Sequence, residues 1–168
     1  MPKSQEFHTV RGYQLLRHNQ MLLTSALEDY LEMIYRYTVS EGYIRMNILS
    51  ELLNVKPSSA SKAVQKLAEQ GLVDYKKYGI VFLTSKGKEI GKFLLQRHQI
   101  IEEFLKTIGI TENILIETEL IEHHISVETL KNIHLLNQFF AHRPDILNDF
   151  KKFKIDYKAE NESDGNKE

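Results

Sequence analysis

The chain has 168 residues, enough for one ordinary domain or two small ones, with 42% hydrophobic residues and a formal net charge of −1. It contains no cysteine, which excludes disulfides, zinc–thiolate sites and thiol nucleophiles. No apolar stretch approaches the roughly 20 residues that cross a bilayer, and the N-terminus lacks a signal-peptide core, so we expect a cytoplasmic protein without a membrane partner.

The first predicted element follows an N-terminal extension. Residues 1–22 show only weak helical periodicity. Ser25 offers an N-cap with Glu28 three residues later, which is the spacing of a capping box. Apolar residues at helical spacing then predict a helix over about 25–40, which Gly42 ends.

Two short helices joined by a tight turn come next. Met46–Asn54 is amphipathic, Val55 and Lys56 form the turn, and Pro57 suits the first position of a helix that runs to Gly71. The residues expected to face inward on this second helix are Ala60, Val64 and Leu67.

A β-hairpin is predicted from Leu72 to Leu83, with its turn at Lys76–Gly79. Helices with short connections follow, so the chain is predicted to be mainly α with one small sheet. Their approximate ranges are 85–108, 111–124, 126–140 and 144–150, with Thr84 or Ser85 and then Ser126 as caps. Residues 151–168 are polar, and we expect them to form a disordered tail.

Two short helices followed by a basic hairpin make the pattern of a winged helix-turn-helix. Residues 43–98 carry ten Lys/Arg against four Asp/Glu, whereas residues 99–150 carry three against nine, so positive charge coincides with this pattern. In such a unit the second helix enters the major groove and the hairpin lies along the phosphates. The residues expected to contact double-stranded DNA are Pro57, Ser58, Ser59, Ser61, Lys62, Gln65, Lys76 and Lys77. The alternatives are an ordinary helix start with a solvated turn, or a winged helix that binds only protein.

Six side chains at three places in the chain are candidate metal ligands. They are Asp29 and Glu32, then His98, then Glu119, Glu122 and His123. Spacings of three and four residues place the members of each group on one helix face. Four carboxylates and two imidazoles without sulfur form a hard donor set that suits Mn²⁺, and they are enough to hold two ions with a bridging carboxylate. Taken singly, the first two places have ordinary explanations, as acids near a helix start and as a surface histidine.

The stretch from about Thr24 to about Phe140 resembles the diphtheria toxin repressor family, and within it the manganese-responsive branch. The resemblance rests on ALEDYLEMIY, VKPSSASKAVQKLAEQGLVDYKKYGIVFLTSKGKEIGK, RHQIIEEFL and ELIEHH. It implies that the six side chains are binuclear manganese ligands, with two Mn²⁺ per subunit, and that Fe²⁺, Co²⁺, Cd²⁺ or Zn²⁺ can bind in vitro. Asp29 and Glu119 stand where the iron-responsive branch has methionine and cysteine, which favours manganese.

The resemblance also implies a function and a domain plan. We expect a homodimeric, manganese-responsive repressor of metal-uptake genes, with no enzymatic activity and no small organic substrate. Metal would fix the spacing of two winged helices on a palindromic operator. The expected parts are an extension (1–22), a DNA-binding domain (23–95), an all-helical metal-binding and dimerisation domain (96–150) and the tail (151–168), with no SH3-like third domain. The apolar residues expected at the dimer interface are Ile114, Leu115, Ile121, Leu130, Ile133, Leu136 and Phe139.

Three other hypotheses remain open from the residues. The first is an iron-dependent repressor of the same family. The second is a di-metal carboxylate enzyme, which holds Glu and His inside a helical bundle but has no need of a basic hairpin. The third is a metal-independent winged-helix protein whose acids form only a dimer surface. The N-terminal extension is a departure from the manganese-responsive type.

Overall fold

The computed structural model describes residues 23–164, in two compact units that meet between Gln96 and Arg97. The extension over residues 1–22, with its weakly predicted helix, lies outside the described residues. Within the described part, the chain is mainly helical with one small sheet, so the predicted fold class is confirmed. None of the helices described is both long and apolar enough to cross a membrane.

Helix α1 spans Ser25–Glu41 and begins one residue earlier than its predicted cap implies. Thr24 has extended backbone angles, and its hydroxyl accepts a hydrogen bond from the Leu27 N–H at 3.4 Å. The prediction of Ser25 as the N-cap is therefore wrong, because Ser25 is already helical. Gly42 ends the helix as predicted, with φ of +79° and its N–H bonded to the Thr38 carbonyl.

The rest of the first unit contains the two predicted short helices and the predicted hairpin. The elements are β1 (Ile44–Arg45), α2 (Met46–Leu52), α3 (Pro57–Glu69), β2 (Val73–Lys76) and β3 (Ile80–Leu83). The three strands form one antiparallel sheet in the order β1-β3-β2. Strand β1 was not predicted, because two residues are too few to show the alternation of a strand. Helix α2 stops two residues before the predicted end, since Asn54 adopts a left-handed conformation.

The core of the first unit is apolar and comes from all its helices. Leu31 and Ile34 of α1, Leu49 of α2 and Val64 and Leu67 of α3 are fully buried. The predicted inward face of α3 is confirmed, because Ala60, Val64 and Leu67 are buried. Their spacing of three or four positions places them on one side of the helix. That leaves the opposite, polar face of α3 on the surface.

Helix α4 (Ser85–Thr107) begins against the hairpin. The Thr84 hydroxyl accepts a hydrogen bond from the Gly87 N–H at 3.0 Å and donates to the Gly71 carbonyl at 2.8 Å. A Cβ on Gly87 would lie 1.9 Å from the carbonyl oxygen of Leu72. The first turn of α4 therefore lies against the backbone that leads into β2.

We expect the Gly87→Ala substitution to destabilise the first unit. The new methyl group would overlap a backbone oxygen, and such overpacking costs about 1–3 kcal/mol or more. A melting temperature lowered by roughly 4–8 °C is expected for about 2 kcal/mol in a chain of this size, measured by circular dichroism. Lys88→Ala, one residue along and exposed, is the matched control. Equal melting temperatures for both variants would contradict the close packing.

The second unit contains the end of α4 from Arg97 onwards, with helices α5 (Ile114–Glu122), α6 (Val127–His142) and α7 (Pro144–Asp164). Its core includes Ile101, Leu105 and Leu130. Ser126 caps α6 as predicted and accepts a hydrogen bond from the Thr129 N–H. Helix α5 is shorter than predicted at both ends, and it starts after Asn113, which has a left-handed backbone.

The predicted disordered tail is wrong for residues 151–164, which continue α7 without a break. These residues include no Gly or Pro, and Lys, Ala and Glu favour helix even where apolar periodicity fades. The Lys154 ammonium also donates to the Ile108 carbonyl at 2.6 Å, which ties α7 to the end of α4. At the start of α7, hydrogen bonds from Arg143 hold the pKa of Asp145 below its ordinary value.

The apolar residues predicted for a dimer interface fall into three classes. Leu115, Leu136 and Phe139 are exposed, whereas Leu130 is buried in the core of its own unit and is not available to a partner. The half-buried members are Ile114, Ile121 and Ile133. The structure adds exposed apolar residues on the same two helices: Ile116, Leu120 and Leu135.

Candidate metal centre and DNA-binding surface

The polar face of α3 presents the residues that sequence analysis selected for DNA. Pro57 occupies the first helical turn, and the predicted contact residues are exposed except Ser61, which is half-buried. The serines near the start of the helix have small side chains, so the helix can lie deep in a major groove. There Gln65 can hydrogen-bond to adenine, and Lys62 can hydrogen-bond to guanine or phosphate. The surface therefore has the chemistry of a recognition helix.

The turn between β2 and β3 is the second part of this surface. Lys76 ends β2 and Lys77 begins the turn, and both ammonium groups are exposed. Tyr78 follows with φ of +66° and 92% exposure, so its ring stands at the tip of the hairpin. Tyr78 was not among the predicted DNA-binding residues, although its position beside Gly79 in a predicted turn indicated an exposed side chain.

Asp29 and Glu32 lie on α1 in the first unit, three residues apart as predicted. Asp29 is half-buried and Glu32 is buried. The Arg36 guanidinium, one turn further on, donates from Nε to Glu32 Oε1 at 2.9 Å. Arg36 was missed, although the four-residue spacing from an acid to an arginine could have indicated the pair.

In the second unit, Glu122 lies between two histidines. Its Oε2 is 3.0 Å from His98 Nδ1, and its Oε1 is 3.6 Å from His123 Nε2. Glu119, one turn earlier on α5, places Oε2 3.6 Å from the same His123 Nε2. The structure thus brings these four predicted ligands together, although α5 ends at Glu122 and His123 follows as its cap with helical backbone angles.

Burial gives this cluster its electrostatic character. Glu122 is 1% exposed and His98 is also buried, whereas Glu119 is exposed on the surface. A carboxylate removed from water is costly unless a cation lies against it. Oxygen and nitrogen donors without sulfur are the ligands of hard or intermediate divalent ions, and the donor atoms of Glu119, Glu122 and His123 lie within 4.8 Å of one another. The side chains present therefore fit a divalent metal ion.

Arg97 is a neighbour of the cluster that sequence analysis missed. It is buried, and its Nη2 lies 3.3 Å from His123 Nδ1. A guanidinium can only donate, so His123 Nδ1 accepts, which orients the ring with Nε2 towards the two glutamates. Nothing in the spacing of these two residues, 26 positions apart, could have indicated this contact.

Comparison with known proteins agrees with both halves of this description. A family profile described as "Iron dependent repressor, N-terminal DNA binding domain" matches residues 22–81. A second, described as "Iron dependent repressor, metal binding and dimerisation domain", matches residues 84–151. Together they account for most of the chain.

The chain belongs to the iron-dependent repressor family.

Two curated proteins are similar to most of the chain. Both are described as "HTH-type transcriptional regulator MntR". The one from Oceanobacillus iheyensis is 45% identical over 130 residues, 77% of this chain and 88% of its own length. The one from Bacillus subtilis is 44% identical over 120 residues, 71% of this chain and 84% of its own length.

Solved structures of repressors are similar as well. A structure described as the manganese regulator SloR has a TM-score of 0.60 and 28% identity, covering 67% of this chain and 54% of that chain. This chain therefore spans about half the length of SloR. The predicted family is confirmed, and the chain is a transcriptional regulator with a DNA-binding domain and a metal-binding, dimerising domain, not an enzyme.

Proposed function

We propose that this repressor responds to Mn²⁺ and holds two ions per subunit between six side chains. The ligands are Asp29, Glu32, His98, Glu119, Glu122 and His123. With metal bound, a homodimer binds a palindromic operator and represses metal-uptake genes, which places its action in the cytoplasm. The observation that carries the proposal is the position of Glu122, with one oxygen facing each of two histidines.

The choice of manganese rests on the donor atoms and on relatives. All six side chains offer oxygen or nitrogen, and a set rich in carboxylates suits Mn²⁺ better than a set with sulfur. The family takes its name from iron, but the curated relatives share the name MntR and SloR is described as a manganese regulator. Fe²⁺, Co²⁺, Cd²⁺ and Zn²⁺ can occupy such donors in vitro, because intrinsic affinity does not follow biological use.

The number of ions rests on ligand count. An octahedral ion takes six donors, and waters fill some of its positions, so four carboxylates and two imidazoles exceed the need of one ion. Glu122 can bridge, since its two oxygens face different histidines. Asp29 and Glu32 share one face of α1 and supply the remaining carboxylates in this proposal.

Metal control of DNA binding follows from charge. Without a cation the carboxylates repel one another, and the segments that carry them are not held together. Bound Mn²⁺ supplies the positive charge that offsets the charge of these carboxylates.

The proposed ligands come from both domains, since those on α1 belong to the DNA-binding domain and those on α5 to the dimerising domain. Their joint ligation favours one spacing of the two recognition helices in the dimer, about 34 Å or one DNA turn. A coupling of about 1–3 kcal/mol gives roughly 5–150-fold tighter DNA binding.

The DNA-binding residues divide into two roles in this proposal. Ser58, Ser59, Ser61, Lys62 and Gln65 read bases and nearby phosphates from α3, with Pro57 starting the helix. Lys76 and Lys77 bind phosphates from the hairpin and carry no sequence information. A di-metal enzyme would have no use for this surface.

A titration of metal against DNA binding tests the proposal. Labelled promoter fragments of metal-uptake genes from the same genome are mixed with the full chain, and fluorescence anisotropy is followed as Mn²⁺ is added. We expect binding to rise with Mn²⁺, to return to its starting value with a chelator, and to be unaffected by equal Mg²⁺. Electron paramagnetic resonance of free Mn²⁺ gives the stoichiometry, expected at two per subunit. Equal DNA affinity with and without Mn²⁺ would refute the proposal.

A further inference from the structure

Helix α1 carries four acids and a single basic residue, Arg36, which lies against a proposed metal ligand. The guanidinium donates from Nε to Glu32 Oε1 at 2.9 Å, and its Nη2 donates to the same oxygen. Asp29, Glu32 and Arg36 follow one another at spacings of three and four residues, so they share one face of the helix. The face proposed to supply two carboxylates to the metal ions therefore also carries a permanent positive charge.

The two partners of this ion pair differ in their exposure to water. The Glu32 side chain is buried, whereas the Arg36 side chain is 38% exposed. An ion pair with a solvated partner contributes little to stability, and a long, flexible arginine side chain can move its charged end into water without a change in the backbone. The carboxylate is therefore held in place, and the guanidinium is able to leave it.

A guanidinium and a divalent ion compete for the charge of one carboxylate. Each is attracted by the negative charge, and the two cations repel each other when both lie against it. Binding of an ion at Oε1 of Glu32 requires the guanidinium to leave, because that oxygen accepts both of its N–H groups. Binding at Oε2 alone places two cations on one carboxylate. In either case Arg36 opposes the ion.

We propose that Arg36 is an internal competitor of the metal ion at Glu32, and that it raises the Mn²⁺ concentration at which the repressor responds. The inference rests on the proposed function, because it takes Glu32 as a ligand. It gives Arg36 no contact with DNA and no part in holding the ion. In metal-depleted protein the guanidinium offsets the charge of Glu32, and in loaded protein the ion offsets it instead.

Substitution of Arg36 in the full chain tests the competition. We expect Arg36→Met to lower the dissociation constant for Mn²⁺ at least roughly fivefold, because the repulsion between two cations is lost. Electron paramagnetic resonance of free Mn²⁺ gives this constant. Arg36→Lys keeps the charge and should stay within about twofold of the wild type. An unchanged or higher constant for Arg36→Met, or an equal decrease for Arg36→Lys, would overturn the proposal.

Lys106→Met is the matched control. Lys106 pairs with Glu102 at the same spacing of four residues, with Nζ 2.8 Å from Oε1, but Glu102 is not among the proposed ligands. At about 0.15 M salt, which screens charges on the surface, its loss should leave the Mn²⁺ constant within about twofold of the wild type. Equal tightening by Lys106→Met would show an effect of net charge and would rule out a specific role for Arg36.

Melting temperatures separate competition from a purely structural role. In the presence of a chelator, Arg36→Met should melt below the wild type, because Glu32 loses a group that offsets its charge. With saturating Mn²⁺ the two should melt alike, so the rise produced by the ion is larger for the variant. A variant that melts lower in both conditions, with an unchanged Mn²⁺ constant, has lost only a structural contact, which contradicts the proposal.

The wild-type chain distinguishes this inference from the proposed function. Two Mn²⁺ bound per wild-type subunit, together with an unchanged constant in Arg36→Met, contradict the competition and leave the proposed function intact. A wild-type chain that binds no Mn²⁺ contradicts both.

Discussion

Replacing Glu122 with glutamine is expected to abolish the stimulation of DNA binding by Mn²⁺. Glutamine keeps the shape of the side chain but removes the charge that faces His98 and His123, and it cannot bridge two cations. A stimulation of about 5–150-fold in the wild type should fall to about one, measured by fluorescence anisotropy on the same promoter fragment. The metal-free variant should bind DNA as weakly as the metal-free wild type.

Glu117→Gln is the matched control for this experiment. Glu117 lies on the same helix, is exposed, and takes no part in the cluster, so the same chemical change should leave the Mn²⁺ response intact. Circular dichroism should show that both variants fold, because neutralising a buried carboxylate does not add an uncompensated charge. A Glu122→Gln protein that still responds fully to Mn²⁺ would remove the central ligand from the proposed site.

Removing both lysines of the hairpin turn is expected to weaken DNA binding by the same factor on every sequence. Each phosphate contact contributes about 0.9 to the slope of log affinity against log salt. The proposed dimer carries two hairpins, so Lys76→Ala/Lys77→Ala should lower the magnitude of that slope by about 1.8 per subunit, or about 3.6 per dimer. When salt is raised from 50 to 200 mM, the factor by which affinity falls should be roughly 150 times smaller for the variant dimer than for the wild-type dimer. The measurement is a salt titration on the operator fragment and on unrelated DNA.

A second pair of lysines provides the control for charge alone. Lys131→Ala/Lys152→Ala removes the same number of positive charges from helices of the second unit. Its salt slope should match that of the wild type, because the lost charges make no phosphate contact. If the hairpin variant lost affinity only on the operator, Lys76 and Lys77 would be reading sequence rather than phosphates.

Much of the fold could be predicted because the spacing of apolar residues indicates which side of each helix or strand is buried. The inward face of α3, the hairpin and the Gly42 stop all follow from local spacing and turn chemistry. The short strand β1 could not be predicted, since its pairing with β3 depends on residues more than thirty positions away. The predicted end of α7 was too early because the prediction relied on apolar periodicity, which stops near Phe150. Helix propensity and the hydrogen bond from Lys154 to the Ile108 carbonyl stabilise the helix beyond that point.

The candidate site was predictable in part for a similar reason. Carboxylates and histidines three or four residues apart on a helix indicate a shared face, and Glu119, Glu122 and His123 keep that arrangement. Contacts between distant helices leave no such signal, so the meeting of His98 with Glu122 could be inferred only from the family resemblance. The contact of Arg97 with His123 was not predicted, because the guanidinium bonds to an imidazole 26 positions away and such a contact leaves no periodic pattern in the sequence.

The two-sided position of Glu122 has a consequence for how sharply genes are switched. In the proposed two-ion site this carboxylate would serve both ions, so a first ion would fix its rotamer and remove an ordering cost from the binding of a second. We therefore expect occupancy to rise over a narrower range of metal concentration than independent sites would allow. A cell using this chain would have a threshold, with transporter expression falling steeply once its manganese supply passes a set level.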